Sequence, residues 1–265
     1  LGGREPDGRW IKIGPGLGPF PSNTVDGDTF ERLHAALDVD GRPLVTNTGK
    51  YLDQVGGYDI CFSPPKSLQV LWGLGSAAIS TSLEAVQLAA VQEAVDFLDR
   101  EATFCRRGRN GIVLEKVSLT AAAFQHGEAR PALHTDGAVF ADPALHTHVV
   151  VVNLAKRSDG TFGRLDGRLY YKTKMAAGAV YHEALSRGLR QMGLGVEITG
   201  NNGIFEIVGV DRELCCYFSA RRDQIADELA AMGLETSEAP ALAAVKARAT
   251  RRGKSSDEPS SADRH

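Results

Sequence analysis

Long hydrophobic runs, paired cysteines and an excess of one charge are all missing from this chain, and each absence removes a class of function. No apolar run approaches the roughly 20 residues that a membrane-spanning helix requires. The four cysteines, Cys61, Cys105, Cys215 and Cys216, have no C-x-x-C spacing. The adjacent pair is ill placed to bridge itself or to share one metal, so reduced thiols and a cytoplasmic setting are expected. A formal net charge of −3 over 265 residues leaves no bulk positive field, so any phosphate contact must be local. No G-x-x-x-x-G-K-[ST] loop occurs, and use of ATP is not expected. What is present is 43% hydrophobic residues, enough for the core of one large domain or two small ones.

Hydrophobic periodicity supplies the elements. Residues 1–27, rich in Gly and Pro, read as a surface loop or arm, and a short helix follows to Leu37. "GYDICFS" (57–63) alternates as a half-buried strand does, setting Tyr58, Ile60 and Phe62 against Asp59, Cys61 and Ser63. "SPPKS" opens a helix carrying Leu68, Leu71 and Trp72, and the spacing of Leu83, Val86, Ala90, Val91, Ala94, Val95 and Leu98 predicts a long amphipathic helix from Ser80 to about Arg107. Two long strands are expected at 113–126 and 145–155, with a polar loop between them. A helix at 174–193, a hairpin around Asn201-Asn202-Gly203, and helices at 211–232 and 238–251 complete the chain. The fold class is therefore α+β: a central antiparallel sheet with helices mainly on one face, a two-layer sandwich, and a helical C-terminal region.

The string Pro-Ala-Leu-His-Thr occurs twice, at 131–135 and at 143–147, and the second copy runs on into His148 and four valines. On a strand, residues two apart project to one side about 7 Å from each other, so His146 and His148 present two imidazoles together. Imidazole suits several divalent metals, and three neutral ligands leave positions open for water or a phosphate oxygen. The pair alone is equally consistent with polar residues on a solvated face, so a third ligand decides. His126 ends a predicted strand and is preferred, with His134, in the loop, as the alternative. No longer period supports a true repeat, and the first copy is read as incidental.

Taken in order, "YDICFSPPKS", F-x-H at 124–126, "LHTHVVVVN", a turn with "DG" and "LDGRLYY" resemble the relaxase domain of TrwC-like (MobF class) conjugative relaxases, in the HUH endonuclease superfamily. The resemblance runs from about Gly8 to Arg251 and includes "AAGAVYHEAL" and "FEIVGVDRELCCYFSARRDQI". It implies that His126, His146 and His148 hold a divalent metal ion (Mg, Mn or Zn) that polarises a phosphate of single-stranded DNA at a transfer origin, beside a hairpin. It also implies that Asp59 orients a histidine or activates the nucleophile, and that relaxosome accessory and coupling proteins are partners. In that family the nucleophile is a tyrosine near the N-terminus. No tyrosine precedes Tyr51 here, so the expectation is that it stands ahead of Leu1 and that the chain as given binds without cleaving.

Residues 1–235 are expected to form the relaxase domain, and 236–265 a C-terminal helix and polar tail ahead of a helicase region. DNA contacts are expected from Lys66 at a helix start, from Arg106, Arg109, Lys156, Arg157, Arg164 and Lys172, and from Tyr170 as a base-stacking platform. Taken singly, each of the other basic residues reads better as ordinary solvated charge, and Lys66 equally well as part of a helix cap. A metal-dependent DNA-binding module without catalysis is the second reading, and a small-molecule metalloenzyme the third.

Overall fold

The sheet is organised around one strand, β6 (Val139–Val152), whose valine-rich second half is flanked on both edges. On one side it pairs with β5 (Ala121–Leu133), which in turn pairs with β1 (Arg9–Lys12); on the other it pairs with β2 (Gly57–Phe62). The order is β1-β5-β6-β2 and every pairing is antiparallel. Residues 6–20, 22–45, 55–108 and 111–231 are described by this computed structural model. The expected helix at 238–251, the tail and Arg109 lie outside them.

Strand alternation gives the sheet two unlike faces. Leu145, Val149 and Val151, with Phe62 of β2, join the main core beneath α3 (Ala77–Ala102) and α4 (Gly167–Gln191). Each fully buried leucine or valine there contributes about 1.5–3 kcal/mol. Helix α3 turns a stripe of Leu83, Gln87, Ala90, Val91, Ala94, Val95 and Leu98 inward, and Ser76 caps its first turn by accepting from the Ile79 amide. The opposite face carries His146, His148 and Val150. One end of that face is covered by α1 (Gly27–His34) and the N-terminal arm through a second core of Trp10, Leu17, Leu33, Ala36, Ala122, Val152 and Leu154.

The histidine-bearing strands form a ribbon rather than two strands joined by a loop. Pairing continues from Ala121↔Val151 to Leu133↔Val139 and closes on a turn at Thr135–Gly137. Two register shifts, between His126 and Glu128 and between Glu128 and Pro131, cancel, so Leu133↔Val139 regains the register of His126↔His146. Both histidines stand ten residues from Asp136 at the turn. The residues expected as loop thus lengthen the ribbon without displacing the cross-strand pair.

Helix α2 (Lys66–Leu74) follows β2 and packs against β6, with Gly73 against Pro143. After the short antiparallel pair of β7 (Ala155–Lys156) and β8 (Phe162–Gly163), and then the hairpin of β9 (Val196–Ile198) and β10 (Phe205–Ile207), helices α5 (Arg212–Tyr217) and α6 (Ala220–Ala230) reach the outer part of the ribbon, where Phe218 packs with Phe140 and Val70. No helix among the described residues is long and apolar enough to cross a membrane.

Four local readings are corrected. The arm contains a strand, because the Ala121–Ala123 run leaves room for Trp10, which is 3% exposed opposite Ala122, while Lys12 reaches Asp96 of α3 at 2.8 Å. The long helix stops at Ala102, where the Thr103 hydroxyl donates to the Leu98 carbonyl, and β3 (Phe104–Arg107) follows. The strand expected at 113–126 is two: β4 (Val113–Lys116), paired with β3, and β5. Helix α4 begins at Gly167, seven residues early, because Asp166 caps it and Arg106 and Arg168 hold that carboxylate ionised, well below the usual range.

The close passage of α1 over the start of β2 gives a test. A Cβ at Gly57 would stand 2.8 Å from the Val151 carbonyl oxygen and 2.9 Å from His34 Nε2. Gly57→Ala is expected to lower stability by about 1–3 kcal/mol, read as a fall in the thermal midpoint. An unchanged midpoint would mean that the helix backs away at no cost.

Candidate metal and nucleic-acid site

The register places the histidines before any side chain is considered. His126 is directly opposite His146, Phe124 opposite His148, Cys61 opposite His148 and Asp59 opposite Val150. Directly opposed residues share a face, so His126, His146, His148, Asp59 and Cys61 all project from the side away from α3 and α4. The three rings form a nearly equilateral group: 5.2 Å between the centroids of His126 and His146, 5.4 Å between His126 and His148, and 5.2 Å between His146 and His148.

Two of these rings are oriented by oxygens that can only accept. His148 Nδ1 lies 2.8 and 3.0 Å from the two Asp59 oxygens, and His146 Nδ1 faces the Ala144 carbonyl of its own strand. The proton therefore sits on Nδ1 in both neutral rings, and the lone pair is left on Nε2. This is the arrangement in which an outer carboxylate or carbonyl prepares an imidazole for a cation. The rings are neighbours without yet surrounding a common point: among the described residues, no three His, Cys, Asp or Glu side chains are placed as a metal site. His126 and His146 are stacked at 28°.

His134 is elsewhere. It is 3% exposed, stacked on Phe140 at 3.7 Å, with Nδ1 facing the Tyr217 carbonyl and Nε2 3.5 Å from Asp142 Oδ1. The Tyr217 hydroxyl donates to Asp136 at the turn. The look-alike in the first Pro-Ala-Leu-His-Thr copy thus fastens the ribbon tip to α5 and is not a member of the ring group.

The other candidates separate by exposure. Lys66 points inward: its ammonium donates to the Pro143 carbonyl at 2.9 Å, and burial pushes its pKa down, so it braces β6 instead of meeting solvent phosphate. Its neighbour Ser67 is also structural, joining α2 to β10 through Ile207. Tyr170 is 4% exposed with its hydroxyl 3.0 Å from Thr103 Oγ1, so it is core and not a stacking platform; the exposed aromatic is Tyr171. Arg157 is a strut, donating to the Phe162 and Arg106 carbonyls. Arg106, Arg157 and Arg164 line a cleft of about 690 Å³ with Leu44, Val45 and Phe162. Arg164 reaches the Asn153 carbonyl, which lies five residues along the chain from His148, roughly 16 Å at strand spacing. Lys156 and Lys172 are exposed.

One residue escaped the sequence reading. Gln87 is fully buried on the apolar stripe of α3. Its Oε1 accepts from Thr147 Oγ1 and from Gln125 Nε2, both at 2.9 Å, and its Nε2 donates to the Phe62 carbonyl at 3.4 Å. The available signal was a lone amide at a position where helical spacing calls for an apolar residue.

The sequence model of the TrwC relaxase family matches residues 2–264. The chain belongs to the TrwC relaxase family. It is 30% identical over 217 residues to the multifunctional conjugation protein TraI of Escherichia coli, covering 76% of this chain but only 11% of that protein. Among solved structures, the conjugative relaxase TrwC in complex with oriT DNA, copper-bound, superposes with a TM-score of 0.76 at 28% identity, covering 95% of this chain and 83% of that one. A metal-bound TrwC–oriT complex gives 0.77 at 28% identity, over 94% and 84% of the two chains. TrwC with a 27-mer DNA comprising the recognition hairpin and the cleavage site gives 0.75 at 28%, over 94% and 86%.

The tautomers are open to measurement. In ¹⁵N-resolved imidazole spectra of the neutral rings, His146 and His148 should both show protonated Nδ1 and bare Nε2. Asp59→Ala should redistribute the His148 tautomer and leave His146 unchanged, since only the former leans on the carboxylate. A His148 spectrum that ignores this substitution would contradict the assigned orientation.

Proposed function

We propose that this chain is the DNA-processing domain of a conjugation protein, cutting and rejoining one strand at a transfer origin with the help of a divalent metal ion. The observation that carries the reading is the ring group of His126, His146 and His148 on one sheet face, with Asp59 holding His148, in a member of the TrwC relaxase family. His126, His146 and His148 would hold the cation through ring nitrogens, and a bound Mg, Mn or Zn ion supplies Lewis-acid neutralisation of charge developing on a phosphate oxygen. Asp59 keeps the His148 proton on Nδ1, away from the cation-facing edge. A tyrosine hydroxyl gives up its proton as its oxygen bonds to phosphorus, the bond from phosphorus to the 3′ oxygen breaks and that oxygen takes up a proton, and the products are a 5′-phosphotyrosyl link and a free 3′-hydroxyl.

Substrate phosphates have two places to go. The scissile phosphate would lie on the histidine face, and TrwC itself is known in complex with a DNA comprising the recognition hairpin and the cleavage site. The exposed Lys156 and Lys172, with Arg106 and Arg164 of the cleft at the strand end, supply local positive charge for neighbouring phosphates in a chain of net charge −3. Accessory and coupling proteins of a relaxosome fit the same reading.

The test is covalent capture. The natural protein that contains this chain, given an origin oligonucleotide and Mn²⁺ or Mg²⁺, should form a phosphotyrosyl adduct that chelation abolishes, and His126→Ala should reduce its rate by 100-fold or more while single-strand binding persists. No adduct with a competent substrate would favour the second reading, a metal-dependent DNA-binding module. Binding itself should be salt-sensitive, and Lys156→Glu with Lys172→Glu should flatten the slope of log affinity against log salt by about one per lost phosphate contact. An unchanged slope would remove both lysines from the interface.

A further inference from the structure

We propose that Gln87 is the positioning residue of the histidine group, tying together from below the three strands on which the group is built. The inference rests on the metal reading above and extends it to a residue on the opposite side of the sheet. Thr147 lies between His146 and His148, Gln125 immediately precedes His126, and Phe62 follows Cys61, which faces His148 across the β2–β6 pair. Because successive strand residues point to opposite faces, each immediate neighbour of a histidine points down into the helix layer. Two of those neighbours, Thr147 and Gln125, meet at a single oxygen, Gln87 Oε1, at 2.9 Å each. The amide nitrogen of the same side chain holds the Phe62 carbonyl of the third strand.

The arrangement uses the full acceptor capacity of one carboxamide oxygen, and on its own helix Gln87 is flanked by apolar residues: Leu83, Ala90 and Val91 are all at most 1% exposed. Ladder hydrogen bonds hold the strands laterally but leave their relative pleat height and tilt soft. Three strands pinned to one point cannot tilt independently, and the directions of the three imidazoles are set by that tilt. Ring positions need to be held within about 0.5 Å for a productive site; on the ring side Asp59 serves His148 and the Ala144 carbonyl serves His146, each one ring at a time, whereas Gln87 joins the strands of all three.

The experiment measures divalent-metal affinity and stability separately, on the chain as it stands. Gln87→Met keeps length and packing while removing all three bonds. Pairing it with Thr147→Val removes the stranded hydroxyl as well, which should return much of the lost stability. Mn²⁺ titrations followed by electron paramagnetic resonance should show about tenfold or greater weakening in Gln87→Met, the range typical of groups that support metal ligands. In the double variant the melting temperature should recover and the metal affinity should not. Unchanged Mn²⁺ affinity in Gln87→Met, with only the melting temperature lowered, would overturn the proposal. Recovery of both quantities in the double variant would do the same, by reducing the effect to general stability. Failure of the wild-type chain to bind Mn²⁺ or Zn²⁺ at all would instead sink the metal reading, and is distinguished by appearing before any substitution is made.

Discussion

The constraint on which the rest depends is the register of β5 against β6. An antiparallel pair allows no continuous adjustment, because a slip of one residue transfers every side chain to the opposite face. Here the turn at Thr135–Gly137 sets the count, two opposed bulges cancel, and His126 meets His146. The same register then places the aliphatic residues Val149 and Val151 over α3 and α4, so the hydrophobic effect and the histidine geometry enforce one pairing. A one-residue slip would merely exchange one valine for another along 149–152, but it would turn His146 and His148 into the apolar layer and Leu145 out of it, where the imidazoles would lose water without partners. The apolar face therefore stabilises the position of the polar one.

That coupling explains which parts were legible in the sequence. The period-two pattern of LHTHV puts His146 and His148 on one side of their strand, and that of GYDICFS turns Asp59 away from Tyr58 and Phe62, because strand alternation is a local property; that Asp59 stands beside the histidines was legible only through the family resemblance. The choice between His126 and His134 is not local. Both follow apolar stretches, and a hairpin of unknown length leaves either within reach; only the symmetry of the ribbon about Asp136 separates them, and it becomes visible once the supposed loop is seen to continue both strands. Pro131 and Pro143 argued for a loop, yet each sits beside a register shift, where a missing N–H is tolerated.

The misread basic and aromatic residues have a common cause. Lys66, Arg157 and Tyr170 carry groups that read as nucleic-acid contacts, but each spends its polar atoms on the protein: the Pro143 carbonyl, the Phe162 and Arg106 carbonyls, and the Thr103 hydroxyl. Strand ends and helix starts leave carbonyls and amides without ladder partners, and long polar side chains complete them. Composition reports the charge and not its orientation. Lys156 and Lys172 differ from these three only in facing solvent.

Gln87 shows why a fold accepts a buried polar group under a site. A leucine there would extend the apolar stripe of α3 and add its own burial, whereas the amide must first lose water and recovers only about 1 kcal/mol net from each hydrogen bond. On stability alone the two choices differ little, so stability does not select the amide. Direction does: a leucine contact is satisfied over a range of sliding positions, while two donors converging on one oxygen are satisfied at one. Once the neighbouring Thr147 hydroxyl and Gln125 amide point into that layer, removing their acceptor leaves them orphaned at roughly 1–3 kcal/mol each. The penalty for misalignment thus falls on the strand positions that flank His126, His146 and His148, and an apolar layer that would otherwise be indifferent to strand tilt becomes sensitive to it.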